Sequence, residues 1–151
     1  MTLDEVIAWL RGIEDLACSV YAEAAGSDAA SAELSVFLRR LAEDEALHYH
    51  LMGSAADLLR SHGKEVRSAV LVDSKTKERV AGPLRRLQAQ SQQQQLARDS
   101  ILEALVEAEM SEWNNIFLYV INTCVEISPA FQYIAAAVQA HEKRIERFLA
   151  G

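Results

Sequence analysis

The sequence of 151 residues contains few of the residues that interrupt regular structure, with 6 glycines and 2 prolines. Its 2 cysteines, Cys18 and Cys124, form no CxxC pair, which argues against a disulfide scaffold and indicates a reducing compartment. No apolar run reaches the roughly 18 residues that a membrane span requires. The opening residues, MTLDEVIAWL, lack the basic start and the small-residue cleavage site of a secretory signal. We therefore expect a cytoplasmic protein that does not bind a membrane.

Basic residues are also scarce, since 15 Lys and Arg stand against 22 Asp and Glu and give a net charge of −7. Apart from the pairs Arg39-Arg40 and Arg85-Arg86 no basic cluster is prominent, so we expect no nucleic-acid partner. The chain is instead rich in Ala, Leu, Glu and Gln, and 50% of its residues are hydrophobic. This composition and length predict a single all-α domain over residues 1–151.

Four long helices are predicted from their capping and breaking residues. Thr2 and Glu5 form a T-x-x-E capping box at the first start, and Gly63 ends the second helix. Ser128 followed by Pro129 opens the last one. The resulting ranges are helix A over 2–25, helix B over 28–62, helix C over 100–127 and helix D from 129 to the C-terminus.

The segment 63–99 between helices B and C is predicted to be a long crossover. Residues 63–82 are weakly periodic and suggest one short element at most, and Pro83 can open a helical segment. The tract QAQSQQQQ at 88–95 is either a solvated helical lead-in or disordered. Two helical hairpins joined by a long crossover predict a ferritin-like four-helix bundle.

Each predicted helix has an apolar seam, spaced by three and four residues, that a bundle would bury. Near the middle of every seam the apolar residues give way to Glu or His. Buried carboxylates are unfavourable unless they are paired or bound to a metal, and no Lys or Arg lies on these seams. The interrupting residues are Glu14, Glu45, His48, Glu109, Glu112 and His141.

These six residues predict a site for two divalent metal ions at the centre of the bundle. Four carboxylates balance two divalent cations in charge, and two neutral imidazoles add nitrogen ligands. Oxygen-rich ligation with one imidazole per metal suits iron or manganese better than structural zinc. A single Glu-x-x-His, such as Glu45 with His48, is common on solvated helices, so the hypothesis depends on the same interruption recurring in four helices.

The motifs LAEDEALH at 41–48, EMSEW at 109–113 and HEKR at 141–144 resemble those of the rubrerythrin branch of the ferritin-like superfamily. The resemblance covers all four predicted helices but not the crossover. It implies two iron ions, with manganese or zinc as alternatives. Their metal ligands would be Glu14, Glu45, His48, Glu109, Glu112 and His141.

Two departures from the family pattern matter. Val138 stands where relatives carry a glutamate that bridges the metals, and Glu142 is a reserve candidate to replace it. No CxxC pairs of a rubredoxin-like domain follow helix D, so a separate electron donor is expected. Tyr21 and Tyr119 either hydrogen-bond a ligand carboxylate or only pack in the core. A homodimer is also expected.

Three functions remain open at this point. The first is a di-iron carboxylate redox enzyme, such as a non-haem peroxidase, that reacts with peroxide or dioxygen. The second is iron handling, by ferroxidase activity or metal storage. The third is a ferritin-like bundle with a degenerate metal site, acting as a dimeric structural or partner-binding module. Val138 favours the third function, and the remaining set of Glu and His residues favours the first two.

Overall fold

The computed structural model describes residues 1–151 and contains six α-helices and no strand, which confirms the all-α prediction. None of the helices combines the length and the apolar character that crossing a membrane would require. The helices are α1 (Leu3–Ala25), α2 (Ala32–His62), α3 (Ser74–Gln92), α4 (Arg98–Glu109), α5 (Trp113–Ile127) and α6 (Gln132–Leu149), and a 3-10 turn (Pro129–Phe131) precedes α6.

Helices α1 and α2 form a hairpin and pack against each other more extensively than any other pair. The predicted capping box is present, because the Thr2 side chain accepts from the Glu5 amide and the Glu5 carboxylate accepts from the Thr2 amide. Helix α2 begins later than the predicted residue 28, since Ser31 caps it and accepts from the Leu34 amide at 3.2 Å. Its predicted end is confirmed by Gly63 in the left-handed conformation.

The crossover contains a full helix, α3, which begins at Ser74 and so extends through the second part of the segment 63–82, where one short element at most was predicted. Asp73 caps α3 by accepting from the Thr76 amide at 2.8 Å, and Pro83 lies inside the helix instead of opening it. The polar tract is helical as far as Gln92 and then turns through Gln94, which has a φ of 56°. Helix α3 packs on α1 and α4 because its apolar side chains are buried there: Val80, Ala81, Leu84 and Leu87.

Predicted helix C is interrupted at residues 110–112, where α4 ends and α5 begins. The Ser111 hydroxyl donates to the Ala108 carbonyl at 2.5 Å and accepts from the Trp113 amide at 3.4 Å. A serine side chain that bonds nearby backbone in this way competes with the helical ladder. The chain therefore has six helices where four were predicted, and the break places Glu109 at the end of a helix.

The apolar core runs through all six helices, and its polar members are few. Most of these polar side chains lie where α1, α2, the end of α4 and α6 meet. The buried polar residues are Glu14, Asp44, Glu45, His48, Thr76, Glu109, Asn114 and His141. Because buried charges are costly without compensation, this junction is where a functional site is expected.

Candidate metal centre

Five of the six predicted ligands meet in one buried cluster, which consists of two overlapping groups of three. In each group the ligand atoms lie within 4.8 Å of one another. We name the first the α2 half (Glu14, Glu45, His48) and the second the α6 half (Glu45, Glu109, His141). Every member is at most 4% exposed. Glu45 belongs to both halves and therefore occupies the centre of the cluster.

Helical periodicity explains how the cluster forms from distant parts of the chain. Glu45 and His48 are three residues apart on α2, so they share one face of that helix. Glu14 comes from the buried face of α1, Glu109 is the last residue of α4, and His141 lies on the buried face of α6. Four helices thus each supply at least one polar side chain to the same point.

The two imidazoles face different oxygens of the Glu45 carboxylate. His48 Nδ1 lies 2.9 Å from Glu45 Oε2 and 3.6 Å from Glu14 Oε2. His141 Nε2 lies 3.1 Å from Glu45 Oε1 and 3.4 Å from Glu109 Oε2. The two rings meet edge to face with their centroids 5.0 Å apart. The Glu45 carboxylate thus lies between His48 with Glu14 on one side and His141 with Glu109 on the other.

Glu112 lies outside the cluster, contrary to the sequence prediction. Its side chain is 40% exposed and accepts a hydrogen bond from Arg79 Nε on α3 at 2.7 Å. In an unbroken helix Glu109 and Glu112 would share a face, but the break at 110–112 turns Glu112 toward α3. Arg79 also holds the pKa of the Glu112 carboxyl below its usual range.

Two aromatic side chains donate hydrogen bonds to carboxylates of the cluster. Tyr21 OH donates to Glu109 Oε1 at 2.6 Å, and Trp113 Nε1 donates to Glu14 Oε1 at 3.0 Å. The sequence suggested such a bond for Tyr21 but gave no indication of one for Trp113. Tyr119 does not reach the cluster, because its hydroxyl accepts from the Ala69 amide at 2.8 Å.

Sequence reasoning missed Asp44, which orients one of the imidazoles. Its Oδ2 lies 3.0 Å from His141 Nδ1 and 2.5 Å from an Arg144 nitrogen. With Nδ1–H donating to Asp44, His141 turns Nε2 toward Glu45 and Glu109. A carboxylate behind a histidine is how metal sites commonly fix ring orientation and tautomer. The seam pattern gave no signal for Asp44, because its partner on α6 is 97 residues away.

Burial and mutual repulsion disturb the ionisation of the carboxylates. Burial, together with the charge of Glu45, raises the pKa of Glu14 well above its usual value and raises that of Glu109 as well. Burial opposes ionisation of Glu45 too, yet the adjacent imidazoles of His141 and His48 hold its pKa below the usual range. The site therefore contains one favoured carboxylate anion and two that need further compensation.

Burial also disfavours the charged form of both imidazoles, but the surrounding carboxylates outweigh it. Glu14 and Glu45 raise the pKa of His48 to about 10, and Asp44 with Glu109 and Glu45 raises that of His141 to about 12. Without metal, both rings are therefore cationic at neutral pH. Because metal ligation needs neutral imidazole, cation binding at this cluster must release protons.

The cluster has ligand atoms that the protein itself does not satisfy. Glu14 Oε2 and Glu45 Oε1 are buried and have no hydrogen-bond partner, and His141 Nε2 is close to the latter without suitable alignment. Unsatisfied carboxylate oxygens beside imidazole nitrogens fit a divalent cation with mixed oxygen and nitrogen ligation. Because Glu112 lies outside the cluster, three carboxylates face the four positive charges of two divalent ions. The equal charges expected from the sequence are therefore not reached, and one positive charge is not compensated.

Comparisons of the chain with protein-family models, with curated proteins and with solved structures give no significant match. The class of the site is therefore defined by its own residues, as a buried cluster of carboxylates and histidines that could hold metal.

Proposed function

We propose that this chain is a ferritin-like protein of the rubrerythrin type that binds two iron ions and reacts with peroxide or dioxygen, or oxidises and stores iron. Manganese and zinc are the alternative metals. The observation that carries the proposal is the position of Glu45, whose carboxylate is shared by two Glu/His groups. One carboxylate between two such groups is the arrangement that a two-metal centre needs.

In this proposal Glu14 and His48 hold one ion, Glu109 and His141 hold the other, and Glu45 lies between them. Iron bound there would supply the electrons for reduction of the oxidant. The protein would contribute a buried site with fixed ligands, because Tyr21 and Trp113 hold the outer carboxylates in place. Asp44 does the same for His141.

The ferritin-like fold is part of the same proposal. Helices α1, α2 and α6, with α4 and α5 together as one interrupted helix, would form the four-helix bundle, and α3 would be an enlarged crossover. We further propose a cytoplasmic homodimer that receives electrons from a separate donor protein.

A degenerate site in a dimeric structural or partner-binding module is the second candidate. Val138 favours it, because this residue is fully buried one turn before His141 and brings no ligand atom. The raised pKa values of His48 and His141 favour it too, since two imidazolium ions can compensate the carboxylates without metal.

Anaerobic titration of the metal-free protein with Fe(II) separates the two candidates. The two-metal proposal expects saturation near two equivalents per chain, and Glu112→Gln is the matched control because Glu112 lies outside the cluster. Saturation at one equivalent would show that only one half is competent. No binding in the wild type would reject the metal centre and leave the structural module.

A further inference from the structure

A small cleft of about 180 Å³ opens at the surface between the break at 110–112 and the second half of α6. Its wall includes Glu109, Ser111, Asn114, Glu142 and Glu146. Because the helix ends at Glu109, no continuing turn of α4 covers this point. The interruption of predicted helix C therefore leaves an opening beside the cluster.

Glu109 belongs both to this cleft and to the cluster. Elsewhere large buried side chains close the cluster: Tyr21 and Trp113 contact its carboxylates, and the Phe117 ring lies 5.0 Å from that of His48. The neighbouring larger cleft, of about 800 Å³, contains no residue of the cluster. The small cleft is thus where a residue that supplies a ligand to the cluster borders on solvent-accessible space.

The small cleft is lined by acidic residues without basic ones, whereas the larger cleft is lined by both. Glu142 and Glu146 stand one helical turn apart on α6, neither forms an ion pair, and no Lys or Arg lines the small cleft. The C-terminal end of α4 adds its negative dipole end at the same place. In the larger cleft the side chains of Lys75, Arg79 and Arg86 offset those of the acidic residues. The small cleft therefore attracts cations, whereas the larger one has no strong preference for cations or anions.

We propose that this cleft is the route by which divalent cations reach the buried cluster, with Glu142 and Glu146 as the carboxylates that capture them at the surface. The inference rests on the proposed function, since it needs a metal centre to serve. A cleft lined by charges of one sign concentrates counter-ions and accelerates their association. Glu142 is then a capture group for the incoming ion and not a replacement ligand for the position of Val138.

Stopped-flow loading of the metal-free protein with Co(II), followed by its visible absorbance, tests the route without any redox chemistry. The variant is Glu142→Gln/Glu146→Gln, and the control is Glu23→Gln/Glu126→Gln, which changes the net charge equally at exposed residues outside the cleft. We expect the cleft variant to load about tenfold more slowly at low ionic strength. The control should load at nearly the wild-type rate, and about 0.5 M salt should abolish most of the difference.

Equilibrium stoichiometry, measured on the same samples, separates failure of the route from failure of the site. Slower loading with unchanged stoichiometry supports the route. Equal rates for the cleft variant and the control, with normal stoichiometry, overturn the route and leave the metal centre standing. Loss of bound metal in the cleft variant would make Glu142 or Glu146 a ligand and also overturn it. No Co(II) uptake by the wild type overturns both proposals.

Discussion

The two halves of the cluster share Glu45 but hold their imidazoles in different ways. In the α2 half, His48 is one turn from Glu45 on the same helix, and its polar partners are the carboxylates of Glu45 and Glu14. In the α6 half, His141 comes from another helix and is fixed from behind by Asp44, which Arg144 binds in turn. Local helix geometry is enough for the first half, whereas the second depends on long-range hydrogen bonds.

The largest loss of metal binding is expected from substitution of Glu45, because both halves use this residue. Glu45→Gln should abolish metal binding by both halves, because an amide keeps the shape but removes the shared anion. Inductively coupled plasma mass spectrometry on dialysed protein measures the content, with Glu43→Gln as an exposed neighbouring control. A Glu45→Gln protein that keeps one full equivalent would show that one half binds metal without this residue and would contradict its shared role.

Val138→Glu should make the metal affinities of the two halves more alike, because it gives the α6 half another carboxylate one turn from His141. We expect tighter binding of the second metal and faster reaction of the reduced protein with peroxide. The metal-free form should lose several kcal/mol of stability, because a further buried charge joins an uncompensated cluster.

Val138→Gln is the matched control for that experiment, since it adds the same bulk without the charge. Thermal melting with and without metal reports stability, and peroxide turnover reports reactivity. If Val138→Glu and Val138→Gln behave alike in both measurements, position 138 does not contribute to the metal centre.

Asp44→Asn should make the metal affinities of the two halves less alike, because it weakens metal binding only in the α6 half. Loss of the carboxylate behind His141 is expected to reduce the affinity for one ion by about 10–100-fold. Resolved Co(II) titrations compare the two stepwise affinities, and Asp57→Asn on the exposed face of the same helix is the control. An equal loss at both steps would contradict the view that Asp44 acts through His141 alone.

The smallest effect is expected from Tyr21→Phe, which removes a hydrogen bond to Glu109 and little else. We expect a net loss of about 1.5 kcal/mol in binding of the ion of the α6 half, at the lower end for a hydrogen bond to a charged acceptor. The first ion should bind as before. Isothermal titration at constant pH provides both binding free energies. A loss confined to the ion of the α2 half would contradict the assignment of Glu109 to the α6 half.

The cluster was largely predictable, because residues three and four apart on one helix must share a face. Glu14, Glu45, His48 and His141 interrupt apolar seams, and the structure buries all four. The number of helices was not predictable in the same way. Ser111 ends α4 through two local hydrogen bonds of its hydroxyl group. The spacing of apolar residues along the chain does not indicate such bonds.

Other features could not be read from the sequence because they depend on distant partners. Glu112 fits the seam by spacing, yet the helix break and Arg79 on α3 remove it from the cluster. Asp44 lies off the seam and gains its role only when α6 docks. Helix α3 was underestimated because its polar surface has weak periodicity, although four apolar side chains anchor it.

The distribution of the two halves along the chain also sets an order of assembly. The α2 half is encoded within the first 62 residues, in a hairpin whose loop closes at little entropic cost. The α6 half needs His141, which is synthesised after all the other residues of the cluster. Contacts between residues close in sequence form earlier than distant ones. A nascent chain therefore carries the ligands of the α2 half before α6 has been synthesised, and docking of α6 completes the second half.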